Sequence, residues 1–578
     1  MKKLMLGNEA IARGAYEAGV TVVSSYPGTP STEITEFAAK YNEIYAEWAP
    51  NEKTAVETAA GASVAGARSM ACMKHVGLNV AADPLFTAAY TGVSGGMVIC
   101  VADDPGMFSS QNEQDSRHYA RASKTAMLEP SDSAECKEFT KLAFDISEKF
   151  DTPVLLRLTT RVAHSQSLVE ENDREEHKIP EYKKNAQKYV MMPAMAKARH
   201  TAVEERTEKL LEFAETSGIN RIEYGDKKIG IITAGGCYNY VKEANPDASI
   251  LKLGMLFPLP EKLIREFAEN VDELYAVEQL DPVIETHVKS LGIEIHGKDK
   301  LTLLGEYSAD MIAEKIFGKP AKTPITADEA TPARPPVLCA GCPHRGVHYV
   351  LSKLGVRVTG DIGCYTLGAL PPLQSIDTCL CMGGSITMSH GMEKAQAENA
   401  EKTVAILGDS TFMHSGITGL INVAYNKGTS TVIILDNSIT GMTGHQQNPT
   451  TGKTLKGDIT RQVDLELLCK ACGIDRVSIV DPFDVEKLEK TIKEELSHRE
   501  PSVIIAQRPC ALLKGVKYEG KAEVDNDKCK KCKMCMKIGC PALSFNGDSL
   551  KVDTTLCNGC GLCLNICKFG ALSVKKEG

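Results

Sequence analysis

Apolar residues in this chain come in short continuous runs separated by longer alanine-rich stretches of helical character. Val20-Thr21-Val22-Val23, Met97-Val98-Ile99-Cys100-Val101 and Pro153-Val154-Leu155-Leu156 each read as a strand buried on both faces. Strands alternating with helices predict a parallel α/β sheet over residues 1–165. Residues 166–200 lose the pattern, are polar and carry Pro180 and Pro193, which predicts a surface linker. Ile229-Gly230-Ile231-Ile232-Thr233-Ala234 and Glu273-Leu274-Tyr275-Ala276-Val277-Glu278 place a second α/β unit at 201–320. The stretch 319–336, rich in Pro, Thr and Ala, reads as another linker, and a third α/β unit fills the rest of 321–512. Its strands are expected at Thr403-Val404-Ala405-Ile406-Leu407 and Thr431-Val432-Ile433-Ile434-Leu435. Residues 513–578 are short, Lys-rich and dense in cysteine. No short-period repeat is present.

The length of 578 residues agrees with about four domains. A hydrophobic fraction of 43% and a charged fraction of 24% describe a folded globular chain, and the net charge of −9 argues against broad nucleic-acid binding. No apolar run reaches the roughly 18–20 residues that cross a bilayer. Met1-Lys2-Lys3-Leu4-Met5-Leu6 imitates the start of a signal peptide, but Gly7, Asn8, Glu9 and Arg13 end it too early. The expectation is a cytoplasmic protein that binds neither membrane nor nucleic acid. The charge is uneven: residues 513–578 hold 12 lysines against 7 acids, a formal +5, which leaves −14 on the rest.

Eight of the 20 cysteines fall in the last 50 residues. A large chain without a signal peptide uses such thiols as metal ligands more often than as disulfides. The order is Cys529-x2-Cys532-x2-Cys535-x4-Cys540-Pro541, then Cys557-x2-Cys560-x2-Cys563-x3-Cys567. This follows the bacterial two-cluster ferredoxin run, in which the fourth cysteine of each group crosses to the other cluster. The expected sets are Cys529, Cys532, Cys535 and Cys567 for one 4Fe–4S cluster, and Cys557, Cys560, Cys563 and Cys540 for the second. The gap before Cys540 is one residue longer than usual, and Lys568 stands where proline is common. A structural zinc site needs four ligands rather than eight.

Gly408-Asp409-Ser410 follows one expected strand, and Asp436-Asn437 ends the next. In a parallel sheet two such strand ends meet at the ligand crevice. Asp409 and Asn437, with the backbone carbonyl of Ile439, offer hard oxygen ligands to Mg²⁺. Gly441, Thr443 and Gly444 form a loop that a diphosphate can approach closely. The pair resembles the thiamine diphosphate motif, with Ser410 and Asp436 where Gly and Asn are frequent. In that family a carboxylic acid from another domain meets the aminopyrimidine ring, and Asn51-Glu52 with Ala55, Ala59, Gly61 and Ala62 is similar to that segment. Glu52 is then the catalytic acid and needs a buried apolar pocket. Met382-Gly383-Gly384-Ser385-Ile386 is similar to the segment whose carbonyl (Gly384) and apolar wedge (Ile386) shape the cofactor.

Together these features resemble the 2-oxoacid:ferredoxin oxidoreductases over nearly the whole chain. The resemblance is carried by Tyr26-Pro27-Gly28-Thr29-Pro30-Ser31, Asn51-Glu52, Lys74-His75-Val76-Gly77-Leu78-Asn79, Cys339-Ala340-Gly341-Cys342-Pro343-His344-Arg345, Gly408-Asp409-Ser410 and the C-terminal module. The middle unit, around Leu253-Gly254-Met255-Leu256-Phe257-Pro258-Leu259-Pro260, is similar to a transketolase C-terminal domain. The resemblance implies an α/β protein with three parallel-sheet domains of the thiamine diphosphate enzyme type and a small α+β two-cluster ferredoxin-like domain. The boundaries are then 1–165 for the pyrimidine side, 201–320 for the transketolase-like unit, 321–512 for the diphosphate side and 513–578 for the ferredoxin module.

The implied reaction is oxidative decarboxylation of an aryl pyruvate such as indolepyruvate to an aryl-acetyl-CoA. Coenzyme A takes the acyl group, and external ferredoxin takes the electrons. A small β subunit is the implied partner in a heteromer. Thr29 is the implied substrate contact, and Arg117 or Arg121 is the expected bidentate ligand of the substrate carboxylate. Cys339, Cys342, Cys364 and Cys510 match in order the ligands of a possible third cluster in sister enzymes. Cys469 and Cys472 lie in a helical pattern and read as core. The alternatives are a different 2-oxo acid (pyruvate or a branched-chain one), a non-redox thiamine decarboxylase, and an electron-transfer subunit with an inactive thiamine site.

Overall fold

The computed structural model describes residues 1–320 and 335–575. Most of the 319–336 linker lies outside the described residues. The chain divides into two compact units, Met1–Thr326 and Ala327–Gly578. No helix among the described residues is long and apolar enough to cross a membrane.

The first unit is built on a seven-stranded sheet. Its parallel strands are β1 (Val22–Ser25), β2 (Tyr45–Trp48), β3 (Ser69–Lys74), β4 (Met97–Asp103), β5 (Ala126–Leu128) and β6 (Val154–Thr159), in the spatial order β5-β6-β4-β3-β1-β2. Every residue of β3, β4, β5 and β6 is buried, as their continuous apolar runs require. Met255–Phe257 joins the outer edge of β5 in antiparallel fashion. This strand comes from the second α/β layer, which holds β7 (Arg221–Glu223), β8 (Asp226–Ala234), β9 (Ala248–Leu253) and β10 (Glu273–Val277) in the order β10-β8-β9-β7. One hydrophobic core runs through both layers and joins Met127 and Leu155 to Ile232, Leu251 and Leu253.

The expected linker at 166–200 is more ordered than its composition suggests. Gln166–Glu170 pairs antiparallel with Lys2–Leu6, and a 24-residue helix starts at Pro193, where proline suits the first turn. That helix is anchored by Arg206, a buried residue whose guanidinium donates to the carbonyls of Ala89 and Asp151. Polar sequence here reflects an exposed strand and a half-exposed helix, and the irregular segment is confined to about 171–185.

The second unit carries a six-stranded parallel sheet of β11 (Arg357–Gly360), β12 (Thr378–Cys379), β13 (Thr403–Gly408), β14 (Thr431–Asp436), β15 (Arg476–Val480) and β16 (Ser502–Gln507). Their order is β12-β11-β13-β14-β16-β15. The C-terminal residues adopt α+β structure, with Lys521–Val524 paired to Leu572–Lys575 and Leu543–Asn546 paired to Ser549–Val552. Their apolar side chains merge into the same core as the sheet, through Ile538, Leu562 and Ile566 beside Val347, Leu351 and Val485. Cys469 is fully buried in the helix Leu465–Ala471 and packs in the core, as expected.

Candidate active site

In the first unit, Glu52 opens helix α1 (Glu52–Val64). Asn51 caps that helix by accepting a bond from the Thr54 amide at 2.9 Å. Glu52 is 4% exposed. Helix α2 (His75–Val80) leaves the end of β3 and presses Gly77 against it, so a Cβ at residue 77 would lie 2.5 Å from Glu52 Oε1 and 2.6 Å from its Cγ. Glycine at 77 is therefore what lets the acid lie against this corner. Gly61 faces open space and makes no such contact. Thr29 is half-buried in the loop after β1, beside Gly28.

Arg117 is taken up by protein partners. It is 4% exposed, and its guanidinium forks onto Asp115 at 2.5–3.1 Å, pairs with Glu278 at 2.5 Å and donates to the carbonyls of Gln279 and Asp281. Asp103 and Glu129 hold the neighbouring Arg157 in the same way. This buried ion-pair network ties the second layer to the first, which corrects the expectation for Arg117. Arg121 lies one helical turn on and is exposed.

In the second unit, β13 and β14 are adjacent, and their ends bring the diphosphate-side residues together. The terminal amide atom of Asn437 lies 2.7 Å from the Ile439 carbonyl oxygen and 3.1 Å from Asp409 Oδ1. Set as oxygen, as a metal ligand requires, it faces two other oxygens, and a cation is what makes such a trio favourable. Set as nitrogen, it donates to both; the two settings are an assignment and not an observation. The other carboxylate oxygen of Asp409 is held by Thr450 Oγ1 at 2.8 Å and Asn448 Nδ2 at 3.2 Å, so Oδ1 is the one directed at the trio. Burial, helped by the charge of Asp436, raises the Asp409 carboxyl to about 7. This donor set fits Mg²⁺, which favours hard oxygen ligands.

The surrounding loop is shaped by backbone constraints. Gly408 packs on Tyr365, and a Cβ there would come within 2.9 Å of its ring. Asp361 accepts the amides of Gly383 and Ser385 at 2.9 and 3.0 Å and so fixes the start of helix α3 (Gly384–Ala395). Ser410 is buried, and Phe412–Gly416 forms a π-helical turn after it, a feature frequent at functional sites. Thr443 is turned toward Gln446, to which its hydroxyl bonds at 2.5 Å. Ile386 is fully buried among Ala405, Leu407, Phe412 and Leu420. Its side chain packs in the core on the sheet-facing side of α3. Asn448 and Thr450 were not foreseen; their signal is Asn448-Pro449-Thr450, a turn shortly after Asn437.

The cysteines gather in three groups. Burial raises the Cys535 thiol to about 11, with Cys567, Cys532 and Cys529 adding to it. Burial raises Cys563 to about 12, with Cys560, Cys540 and Cys557 adding. Cys567 thus acts on Cys535 and Cys540 on Cys563, while Cys535 also acts on Cys563, so the two groups adjoin. Cys540, Cys557, Cys560 and Cys563 line one cavity with Ala340, Gly341 and Arg345. In the third group burial lifts Cys364 to about 11, with Cys510 and Cys339 adding, and lifts Cys342 to about 12. A Cβ at Gly441 would lie 3.4 Å from Cys364 Sγ, so this group borders the diphosphate loop.

Arg345 joins the groups. It is 2% exposed and donates to the carbonyls of Leu338, Cys339, Ile538 and Gly539. Asn558 adds a bond to the Ala340 carbonyl at 3.2 Å. The loop carrying Cys339 and Cys342 is thereby clamped to the loops carrying Cys540 and Cys557.

Three family models match this chain. Residues 13–225 match "Pyruvate flavodoxin/ferredoxin oxidoreductase, thiamine diP-bdg", residues 361–506 match "Thiamine pyrophosphate enzyme, C-terminal TPP binding domain", and residues 550–573 match "4Fe-4S binding domain". Folds and matches define a thiamine-diphosphate-binding, iron–sulfur oxidoreductase of the 2-oxoacid:ferredoxin class. The chain is 41% identical to the indolepyruvate oxidoreductase subunit IorA of Archaeoglobus fulgidus, over 100% of its own length and 98% of that protein. It is 42% identical to the subunit of the same name from Thermococcus kodakarensis, over 100% and 97%. It belongs to the IorA family of indolepyruvate oxidoreductase subunits. A more distant relative, the 2-oxoglutarate synthase subunit KorA of A. fulgidus, is 27% identical over 47% of this chain and 86% of that protein.

Proposed function

We propose that this chain catalyses oxidative decarboxylation of aryl pyruvates, indolepyruvate foremost, to the corresponding aryl-acetyl-CoA. It would work in the cytoplasm with a small second subunit and pass electrons to an external ferredoxin. The observation that supports this reading is the full-length likeness to indolepyruvate oxidoreductase subunits, which spans both thiamine-type domains and the cysteine module.

Bound thiamine diphosphate supplies the carbon nucleophile and the electron sink. Within each unit the chain's own residues have separate tasks toward it. Glu52, buried against Gly77, holds a proton for the aminopyrimidine ring. Asp409, Asn437 and the Ile439 carbonyl would hold Mg²⁺, and the backbone of Gly408, Ser410 and Gly441 would receive the diphosphate, with Thr443 bracing that loop. Gly384 offers its carbonyl at the start of α3, and Thr29 stands beside the substrate. Cys529, Cys532, Cys535 and Cys567 hold one 4Fe–4S cluster, and Cys540, Cys557, Cys560 and Cys563 hold a second. Cys339, Cys342, Cys364 and Cys510 hold a third, next to the diphosphate loop.

The test uses the complex with its small subunit, expressed and assayed without oxygen. Rates of CoA-dependent dye reduction are compared for indolepyruvate, phenylpyruvate, pyruvate and 2-oxoglutarate. The aryl substrates should give the highest kcat/KM; a higher value for pyruvate would overturn the substrate assignment. About twelve irons per chain are expected, and about eight would remove the third cluster.

A further inference from the structure

With Arg117 held in the ion-pair network and Arg121 exposed, a buried ligand of the substrate carboxylate is sought among the other cations at the C-terminal rim of the first sheet. Lys74 ends β3 there and is 8% exposed. Its neighbours on both sides are candidate site segments. A Cβ at Gly28, next to Thr29, would lie 3.1 Å from Lys74 Cβ, and Gly77, against which Glu52 rests, follows three residues later.

The ammonium is incompletely matched. One of its three N–H groups is accepted by the Ser109 carbonyl at 2.5 Å. Among the described residues no carboxylate lies within ion-pair distance of it. The acid whose charge acts on it is Asp104, which already accepts the Ser109 amide at 2.9 Å, Ser110 Oγ at 2.6 Å and Thr160 Oγ1 at 2.9 Å. Other buried lysines of this unit are paired: Lys137 with Glu17 and Glu138, and Lys252 with Glu135. A buried cation without a partner is costly and calls for an anion. The consequence is visible in the group itself, since burial lowers the Lys74 ammonium to about 8. The Ser109 carbonyl that caps it belongs to an exposed, irregular loop that carries Phe108, 66% exposed.

We infer that Lys74 binds the carboxylate of the 2-oxo acid, which replaces or joins the Ser109 carbonyl on the ammonium. This rests on the 2-oxo acid reading above. Lys74 is a substrate-binding residue that stabilises the charged ground state, so its loss raises KM more than it lowers kcat.

The test compares, in one preparation of the complex, the oxidation of a 2-oxo acid with that of the aldehyde one carbon shorter, which lacks the carboxylate. Both reach the same acyl-CoA by a two-electron oxidation with CoA and the same dye. The ratio of the two kcat/KM values does not depend on how much of a variant folds. Lys74→Met should lower the acid-to-aldehyde ratio by about 10- to 100-fold, the range of a charge-assisted hydrogen bond, through KM for the acid. Lys74→Arg should recover most of it. An unchanged ratio in Lys74→Met overturns the inference, whatever the absolute rates. The acid used is whichever one the wild type oxidises fastest, so a wrong aryl assignment shows in the wild-type profile and leaves this comparison intact.

Discussion

Each unit buries an arginine, and the two are satisfied in opposite ways. Arg117 in the first unit lies between the carboxylates of Asp115 and Glu278. Arg345 in the second donates to four backbone carbonyls, and no carboxylate among the described residues comes within ion-pair distance. The charges that do act on it are those of Cys540, Cys342, Cys339 and Cys560. Arg117 is therefore complete as folded, whereas Arg345 awaits anions that metal-bound thiolates would supply. The same distinction separates Lys137 and Lys252 from Lys74, and Asp409 from the paired acids. Carbonyl partners alone do not mark a ligand site, since the buried Arg206 has only those and anchors a helix; what sets Arg345 apart is the ring of thiols whose charges act on it.

Asp409 gives the sharpest way to break this distinction. Its folded value of about 7 stands above its ordinary 3.8, chiefly through burial and then through Asp436. Between those values the folded state holds more protons than the unfolded state. Asp409 therefore contributes a loss of stability in the metal-free chain as pH rises from about 4 to about 7, on the order of 4 kcal/mol, read as the difference between wild type and Asp409→Asn. Mg²⁺ with thiamine diphosphate should remove that slope. Asp409→Asn should abolish measurable activity and cofactor binding while flattening the slope in the metal-free protein. A variant that stayed active, or a metal-free wild type whose pH slope matched that of Asp409→Asn, would contradict the cation site. Denaturant midpoints across pH, with and without cofactor, read both outcomes.

The Arg117 network should respond in the reverse sense. Glu278→Gln removes one partner of a buried pair, and such losses cost about 3–5 kcal/mol. The measurement is the midpoint of chemical unfolding of the complex. Folded Glu278→Gln enzyme should keep the wild-type acid-to-aldehyde selectivity, because Arg117 stays held by Asp115 and the carbonyls of Gln279 and Asp281. A change in that selectivity without a loss of stability would return Arg117 to the site.

What the amino-acid string disclosed follows the same divide. Ligand sets closed by nearby residues were legible: the two C-x2-C-x2-C groups, and Gly408-Asp409 with Asn437 at neighbouring strand ends. Roles set by distant partners were not. Arg117 depends on Glu278, 161 residues away, and Arg345 on Ile538, 193 residues away. Ile386 carries a motif position but points into the sheet, because a motif fixes spacing and not which side of a helix meets the core. The polar stretch 166–170 pairs with the first strand of the chain, and no local periodicity announces a partner that remote.

Arg345 provides the finest test of the comparison, because its effect should be confined to the clusters. Removing a cation that faces Cys540 and Cys560 on one side and Cys339 and Cys342 on the other makes each bound cluster harder to reduce. Arg345→Met should therefore move one or more one-electron potentials negative by about 60 mV, equivalent to about 1.4 kcal/mol, as read by redox titration followed through electron paramagnetic resonance. Arg345→Lys keeps the charge but cannot serve four carbonyls with a planar fork, so it should restore much of the potential while loosening the clamp. The Cys529, Cys532, Cys535 and Cys567 cluster, whose thiols are not among the charges acting on Arg345, should shift least. Equal shifts in every cluster would show a general loosening of the module, and potentials unchanged with full iron content would show that the carbonyls alone account for this arginine.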